Sequence, residues 1–174
     1  MNATEAQKRL KTLFSNIFGE DNVIKEWPSS RNAEDWLRRG YAPRPDIVIG
    51  PFNISEGANT SDIKRSFNQN RAFFNHLGFA DGSENKNENP RCLIAVEIEN
   101  SGSSKHMIGN IINASLLGKV GIIVTLRDEF YRKAENTLKY LEGAFVRKKI
   151  GYNPSNVVIK RYDELRRILT QSRN

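Results

Sequence analysis

The amino-acid sequence predicts an α/β protein with a central mixed β-sheet flanked by helices. Two short apolar runs, at residues 47–49 and 120–126, are bounded by turn residues and are typical of buried strands. The segment from Cys92 to Leu126 has the pattern of a strand, a helix and a second strand, which is a β-α-β unit. A chain of 174 residues has the length of one globular domain. We therefore expect a single domain over residues 1–174.

The first half of the chain begins with an amphipathic helix at residues 4–18. Thr4 and Gln7 have the spacing of a capping box, and Gly19 suits the end of the helix. The predicted elements that follow are an extended stretch at 22–27, a buried strand at 44–51 and one helix from Ser61 or Asp62 to Leu77.

The second half is more regularly patterned. A strand at 92–99 begins as an apolar run and ends in alternation, which places Glu97 and Glu99 on one face. Cys92 lies at the start of this strand and is expected to be a buried core thiol. The remaining predicted elements are a helix from Ser103 or Ser104 to Leu117, a strand at 120–126, a helix at 128–148, a strand at 156–159 and a helix at 162–170.

The positive charge is concentrated in the C-terminal quarter. The formal net charge is +7, but residues 1–130 contain 16 basic and 16 acidic residues, whereas residues 131–174 contain 11 basic and 4 acidic residues. A basic surface attracts polyanions, so this basic C-terminal part favours nucleic acid as a partner. The alternative is a solvated, slightly basic surface.

Composition excludes several classes of site. One cysteine and two histidines supply neither an internal disulfide nor a zinc site rich in cysteine or histidine. No run approaches the roughly 18 apolar residues of a membrane helix, and the N-terminal residues lack the apolar segment of a secretory signal. We therefore expect a cytoplasmic protein with no membrane partner.

Three carboxylates occur where burial makes isolated charge costly. Asp46 follows Pro45 at the start of a buried strand, and Glu97 and Glu99 end another. A divalent cation would compensate this cost, and Mg²⁺ is held by one or two carboxylates together with water and phosphate oxygens. Asp46 and Glu97 are a sufficient pair of ligands. Glu99 is then positioned to bind a second ion or to accept a proton from the attacking water.

The order of these elements resembles the core of the PD-(D/E)XK nuclease superfamily, the restriction-endonuclease-like fold, over residues 4–126. The resemblance implies that Asp46 and Glu97 bind the catalytic magnesium, with manganese as an alternative ion, and that the Ile98 carbonyl completes the set of ligands. Position 99 departs from the pattern, because Glu99 stands where the family usually has a lysine. Some restriction endonucleases carry an acidic residue there, and in them it acts on the nucleophilic water or the metals.

Several polar residues near this motif are candidates for supporting roles. Lys105 and His106 follow the acidic strand and could supply the missing positive charge or contact phosphate. Asn110 and Asn113 face either the active cleft or solvent. Glu5 is a further candidate, because some members of the superfamily place an extra metal ligand on the first helix.

Residues 53–90 form an insertion between the two acidic strands. Asn68, Gln69 and Arg71 within it are side-chain types that bind base edges or phosphates, so the insertion is either a DNA-reading element or a cap on the sheet. Lys133, off the apolar face of the helix at 128–148, is another candidate for DNA binding.

These observations predict a metal-dependent endonuclease that hydrolyses DNA, with a type II restriction endonuclease as the leading subtype. Its catalytic residues would be Asp46, Glu97, Glu99 and Lys105. A homodimer is expected, because two-fold symmetry suits cleavage of both strands of a duplex. The alternatives are a junction-resolving or repair nuclease, an inactive DNA-binding module of the same fold, and an α/β enzyme acting on a small molecule.

Overall fold

The computed structural model describes residues 1–27, 43–52, 61–79 and 87–172. These residues contain one five-stranded mixed sheet, which confirms the predicted α/β class. The first three strands of the sheet pair antiparallel and the last three pair parallel. In chain order, which is also their order in the sheet, the strands are β1 (Val23–Lys25), β2 (Ile47–Phe52), β3 (Cys92–Glu99), β4 (Gly118–Thr125) and β5 (Val157–Arg161).

Helices cover both faces of the sheet. They are α1 (Ala3–Phe18), α2 (Ser61–Gln69), α3 (Arg71–His76), α4 (Ser104–Leu117), α5 (Asp128–Val146) and α6 (Tyr162–Gln171). Apolar residues of α1, α2, α3 and α6 form one core on what we call the α1 face. Those of α4 and α5 form a second core on the α4 face. None of the helices in the described residues has the length and apolar composition needed to cross a membrane.

Helix α1 begins differently from the prediction. Its N-cap is Asn2, whose side chain accepts a hydrogen bond from the Glu5 N–H at 2.9 Å, so the capping box of Thr4 and Gln7 is wrong. Gln7 instead lies in the apolar stripe and is buried, because it has a partner within the fold. The predicted end at Gly19 is confirmed, with φ of +88° at that glycine.

The helix predicted up to Leu77 is two helices. Asn70 separates α2 from α3, and its side-chain amide donates to the Ser66 carbonyl at 2.8 Å. This bond competes with continued helix at the end of α2, as is usual for asparagine. The break lets Phe67 of α2 stack on Phe74 of α3, with ring centroids 4.3 Å apart.

The second half follows the sequence prediction closely. Each boundary from α4 to α6 lies within two residues of the expected one. Cys92 is fully buried, and burial raises the pKa of its thiol, which confirms a core thiol and disfavours a thiolate nucleophile at neutral pH.

Candidate active site

The pairing of β2 with β3 places two carboxylates next to each other. Ile47 pairs with Val96 in an antiparallel ladder, so the next position along the ladder sets Asp46 beside Glu97. The Ile98 N–H donates to Asp46 Oδ2 at 2.7 Å. Asp46 and Glu97 therefore lie on adjacent strands, as the sequence predicts.

All three carboxylates project toward the α4 face. Val48 of β2 and Ala95 of β3 belong to the core on that face. Side chains alternate along a strand, so Asp46, Glu97 and Glu99 share this orientation. The predicted common face of Glu97 and Glu99 is thus confirmed, and α4 lies over them.

Helix α4 supplies amide groups to these carboxylates. Met107 and Ile111 anchor the helix in the core on the α4 face. Asn113 hydrogen-bonds the Glu97 carboxylate, and Asn110 Nδ2 donates to Glu99 Oε2 at 3.2 Å. Of the two orientations that the sequence left open for the asparagines, the structure shows the one toward the cleft.

Glu99 also binds the turn that leads into α4. Its Oε1 accepts from the Ser101 N–H at 2.7 Å, the Ser101 hydroxyl at 2.8 Å and the Gly102 N–H at 3.1 Å. The ammonium group of Lys133, on α5, donates to the Gly102 carbonyl of the same turn. Glu99 is only 1% exposed, so both of its oxygens serve the local structure.

Burial and neighbouring negative charges raise the pKa of Asp46 and of Glu97. Burial is the main reason why the pKa of Asp46 is raised; the charges of Glu26 and Glu99 raise it further, and the hydrogen bond from Ile98 opposes them. Burial, and then the charge of Asp46, raise the pKa of Glu97 to about 8. No positively charged group among the described residues contributes to either shift.

Two further contacts to Asp46 escaped the sequence analysis. Gln7 Nε2 donates to the Asp46 main-chain carbonyl at 2.8 Å, and the Glu26 N–H donates to the same oxygen at 3.2 Å. A signal for Gln7 was present, because a polar residue interrupts the apolar stripe of α1. No sequence signal marks Glu26, because its left-handed backbone, with φ of +49°, is a property of the fold.

The donor set suits a hard divalent cation. The N–H and carbonyl of a strand residue point to the same side, so the Ile98 carbonyl points, like its N–H, toward Asp46. Among the described residues, no three or more His, Cys, Asp or Glu side chains are grouped to hold a metal. Magnesium needs only one or two carboxylates, with water and substrate oxygens as the other ligands, so Asp46 and Glu97 fit it.

The predicted auxiliary residues near the cleft occupy different positions. Lys105 and His106 are exposed on the first turn of α4, beyond the turn that Glu99 binds. Neither contributes to the pKa shifts of the paired carboxylates. Glu5, on α1, pairs with Arg9 at the surface.

The predicted DNA-reading residues lie on the other side of the sheet. Helix α2 packs Ile63 and Phe67 into the core on the α1 face, so the described part of the insertion caps the sheet there. Asn68 and Gln69 are exposed, and Arg71 donates to Asn68 Oδ1 at 2.8 Å. The structure does not bring these side chains to the carboxylates, and residues 53–60 and 80–86 of the insertion lie outside the described residues.

Comparison of the chain with protein-family models, with curated proteins and with solved structures found no significant match.

Proposed function

We propose that the protein is a metal-dependent endonuclease that hydrolyses phosphodiester bonds of DNA. The observation that supports this most is the pairing of two carboxylates on adjacent strands. Asp46 is half-buried and Glu97 is buried. Burial raises the cost of ionising both groups, the charge of Asp46 raises it further for Glu97, and no described cation offsets these costs. A divalent cation would reverse this balance.

The roles of the residues follow from their positions. Asp46 and Glu97 would hold Mg²⁺, or Mn²⁺, with the Ile98 carbonyl on the same side of β3. When bound, the ion would supply Lewis-acid stabilisation of the charge that develops on the phosphate. Asn113 orients the Glu97 carboxylate, and Gln7 fixes the main chain at Asp46.

Glu99 and Lys105 have the remaining catalytic assignments. Glu99 would orient the attacking water, for which its Asn110-bound oxygen is better placed than the oxygen that binds the turn. Lys105 would contact phosphate from the exposed first turn of α4.

The resemblance to restriction endonucleases favours a type II restriction endonuclease acting as a homodimer. A junction-resolving or repair nuclease would use the same residues on a different DNA structure. The substrate that is cleaved distinguishes these subtypes.

A second candidate is an inactive DNA-binding module. It is favoured by Glu99, which occupies the position of the family lysine and accepts four hydrogen bonds within the protein. A group so engaged stabilises the turn and α4 without any catalytic role.

Cleavage of supercoiled, linear and branched DNA, with and without Mg²⁺, tests the proposal. Asp46→Asn and Glu97→Gln preserve side-chain shape, and we expect each to lower the cleavage rate by at least about 100-fold. Asp62→Asn is the matched control, since Asp62 is exposed on α2. Discrete fragments from linear duplex would identify a restriction enzyme. Magnesium-independent cutting, or equal rates in all variants, would contradict the assigned site.

Assays of DNA binding and cleavage by the wild type and by Glu99→Gln, run together, separate the two candidates. Glutamine retains an oxygen acceptor for the turn but loses the charge. In a nuclease we expect slower cleavage with unchanged DNA affinity, whereas an inactive module would bind DNA and cut none of the substrates even as wild type.

A further inference from the structure

Helix α4 is apolar on its outer side as well as on the side that packs on the sheet. Met107, Ile111 and Ala114 are buried against the sheet. Ile112 and Leu116 lie outside this buried side; Ile112 is half-buried and Leu116 is 52% exposed. A helix that is apolar all round is normally covered on every side. The described residues leave the outer side of α4 uncovered, so we expect a partner surface there.

The outer apolar side of α4 continues onto α5. Ile108, one turn before Ile112, lines a cavity of about 400 Å³ between the two helices. Tyr140 of α5 lines the same cavity and is 61% exposed. We define the α4 patch as the apolar surface formed by Ile108, Ile112, Leu116 and Tyr140. Contiguous exposed apolar surface on a protein marks an interaction site, whereas single exposed apolar side chains do not.

Charge favours a second copy of this chain as the partner of the α4 patch. No residue from Met107 to Leu117 carries a charge. The outer faces of α1, α5 and α6, by contrast, present exposed cations at Arg9, Arg132 and Arg166. Two copies each have a net charge of +7, so they approach most easily through a surface that is free of like charge. A nucleic acid or another polyanion would be drawn to the cations instead.

The outer side of α4 is also complementary in shape to itself. A Cβ at Gly109 would meet no atom within 4 Å, so the helix surface has a notch there, two turns before the exposed side chain of Leu116. When two α4 helices are packed antiparallel about a two-fold axis near Ile112, Gly109 of one copy lies opposite Leu116 of the partner subunit. Gly109, Ile112 and Leu116 have the three- and four-residue spacing of a seam between packed helices.

We propose that the α4 patch is the interface of a homodimer with two antiparallel α4 helices at its centre. This arrangement places Lys105 of the two copies at opposite ends of the interface, roughly 20 Å apart along the helices, so these exposed cations do not oppose the pairing. A two-fold rotation also keeps the Asn110 sides of both helices, and with them both carboxylate clefts, on one side of the dimer. The consequence for cleavage of both DNA strands rests on the proposed function, whereas the interface itself does not.

Sedimentation equilibrium in EDTA tests the interface without DNA or metal. Wild type at micromolar concentration should have twice the chain mass of 19.8 kDa. Leu116→Asp should weaken dimerisation by about 10-fold or more, because it places a charge in the apolar interface. Val146→Asp is the matched control, since Val146 is 77% exposed at the end of α5 and lines a different cavity. A monomeric wild type, or equal affinity of the two variants for their own copies, would overturn the proposal.

Cysteine cross-linking tests the register of the two helices and needs no variant that disrupts the dimer. The one native cysteine, Cys92, is fully buried, so wild type should form no intermolecular disulfide. Ile112→Cys should form one on mild oxidation, because the axis brings this position next to its own copy. Gly109→Cys and Leu116→Cys should cross-link when mixed but not separately, because like positions lie about 10 Å apart along the helices. Absence of the Ile112→Cys cross-link in a dimer would overturn the antiparallel pairing.

Cleavage of supercoiled DNA with Mg²⁺ separates the interface from the proposed function. Wild type and Val146→Asp should linearise the circle, whereas Leu116→Asp, as a monomer, should accumulate nicked circles. Linearisation by a monomeric Leu116→Asp would overturn the link between the dimer and double-strand cleavage. Sedimentation and cross-linking involve neither DNA nor magnesium, so a protein that dimerises as described and cuts no DNA would support the interface and contradict only the nuclease proposal.

Discussion

Glu97 is a buried carboxylate, and its burial and the charge of Asp46 both oppose its ionisation. Its carboxylate is buried beside Asp46, and its pKa is raised to about 8 from an ordinary value of 4.5. Between these two values the folded state holds a proton that the unfolded state has released. The free energy of unfolding must therefore fall as the pH rises from about 4.5 to 8.

Replacing Glu97 by glutamine should remove this pH dependence. We expect Glu97→Gln to match wild type near pH 4.5 and to be more stable above pH 8, by at most about 5 kcal/mol, because each pKa unit corresponds to about 1.4 kcal/mol. Urea unfolding across this range measures the difference. Glu20→Gln, at an exposed position, is the control. Parallel curves for wild type and Glu97→Gln would show that the carboxylate ionises normally in the folded protein.

The sequence predicted which carboxylates share a face but not which groups contact them. Alternation along β3 was enough to pair Glu97 with Glu99, and the place of Asp46 at the start of a buried strand added the third carboxylate. The amides of Gln7 and Asn113 reach these groups only because α1 and α4 pack at particular offsets on the sheet. Such offsets depend on the whole core, so no local pattern in the chain specifies them.

Among the elements that bear on the site, α4 and β4 pack closely at Gly121. A Cβ at Gly121 would lie 2.9 Å from Val157 Cγ2 and 3.0 Å from both the main-chain carbon and the Cβ of Ala114. Glycine therefore lets the backbone of α4 approach the sheet. This close approach sets the separation between α4 and the sheet, and with it the distance from Asn110 to Glu99.

A pair of alanine substitutions tests this packing. Gly121→Ala should destabilise the protein by about 1–3 kcal/mol, because the main chain of α4 must move. Gly109→Ala should stabilise it by about 0.5–1 kcal/mol, because Gly109 is inside α4 and its added Cβ would meet open space. Urea unfolding gives both values. A loss of stability in both variants would indicate that α4 tolerates no added side chain, whatever the space available.

Element boundaries could be predicted where one periodic pattern dominated. Helices α4 to α6 each have an apolar face at helical spacing, and their ends were predicted within two residues. The helix predicted from 61 to 77 failed at Asn70, whose side chain bonds the Ser66 carbonyl. Phe67 and Phe74 continue one apolar face across this break, so periodicity alone suggested a single helix.

At the scale of the whole molecule, the sequence predicted the α/β class and the mixed sheet. The β-α-β unit fixes β3 and β4 as parallel, because the helix between them returns the chain to the same edge. The restriction-endonuclease-like identity of the core, the homodimer and the cytoplasmic location stay predictions. They concern function, partners and cellular context, which burial and hydrogen bonding in one chain do not determine.

The charge distribution leads to the last prediction, on how the molecule as a whole meets DNA. The excess of +7 lies entirely in residues 131–174, and α5, which contains several of these cations, packs against α4 on the face to which the carboxylates project. Exposed Arg132 and Lys139 on α5 are therefore suited to contact phosphates beside the cleft. Each neutralised phosphate contributes about −0.9 to the slope of log affinity against log salt.

Fluorescence anisotropy with labelled duplex DNA in EDTA, from about 50 to 200 mM salt, measures that slope. The double variant Arg132→Gln with Lys139→Gln should flatten it by about 1.8 and weaken binding at every salt concentration, because two phosphate contacts are lost. Lys8→Gln with Arg65→Gln removes the same charge from exposed positions in the neutral part of the chain and should leave the slope unchanged. Equal flattening in the two double variants would mean that net charge alone governs binding, and that α5 is a solvated basic surface with no defined path for DNA.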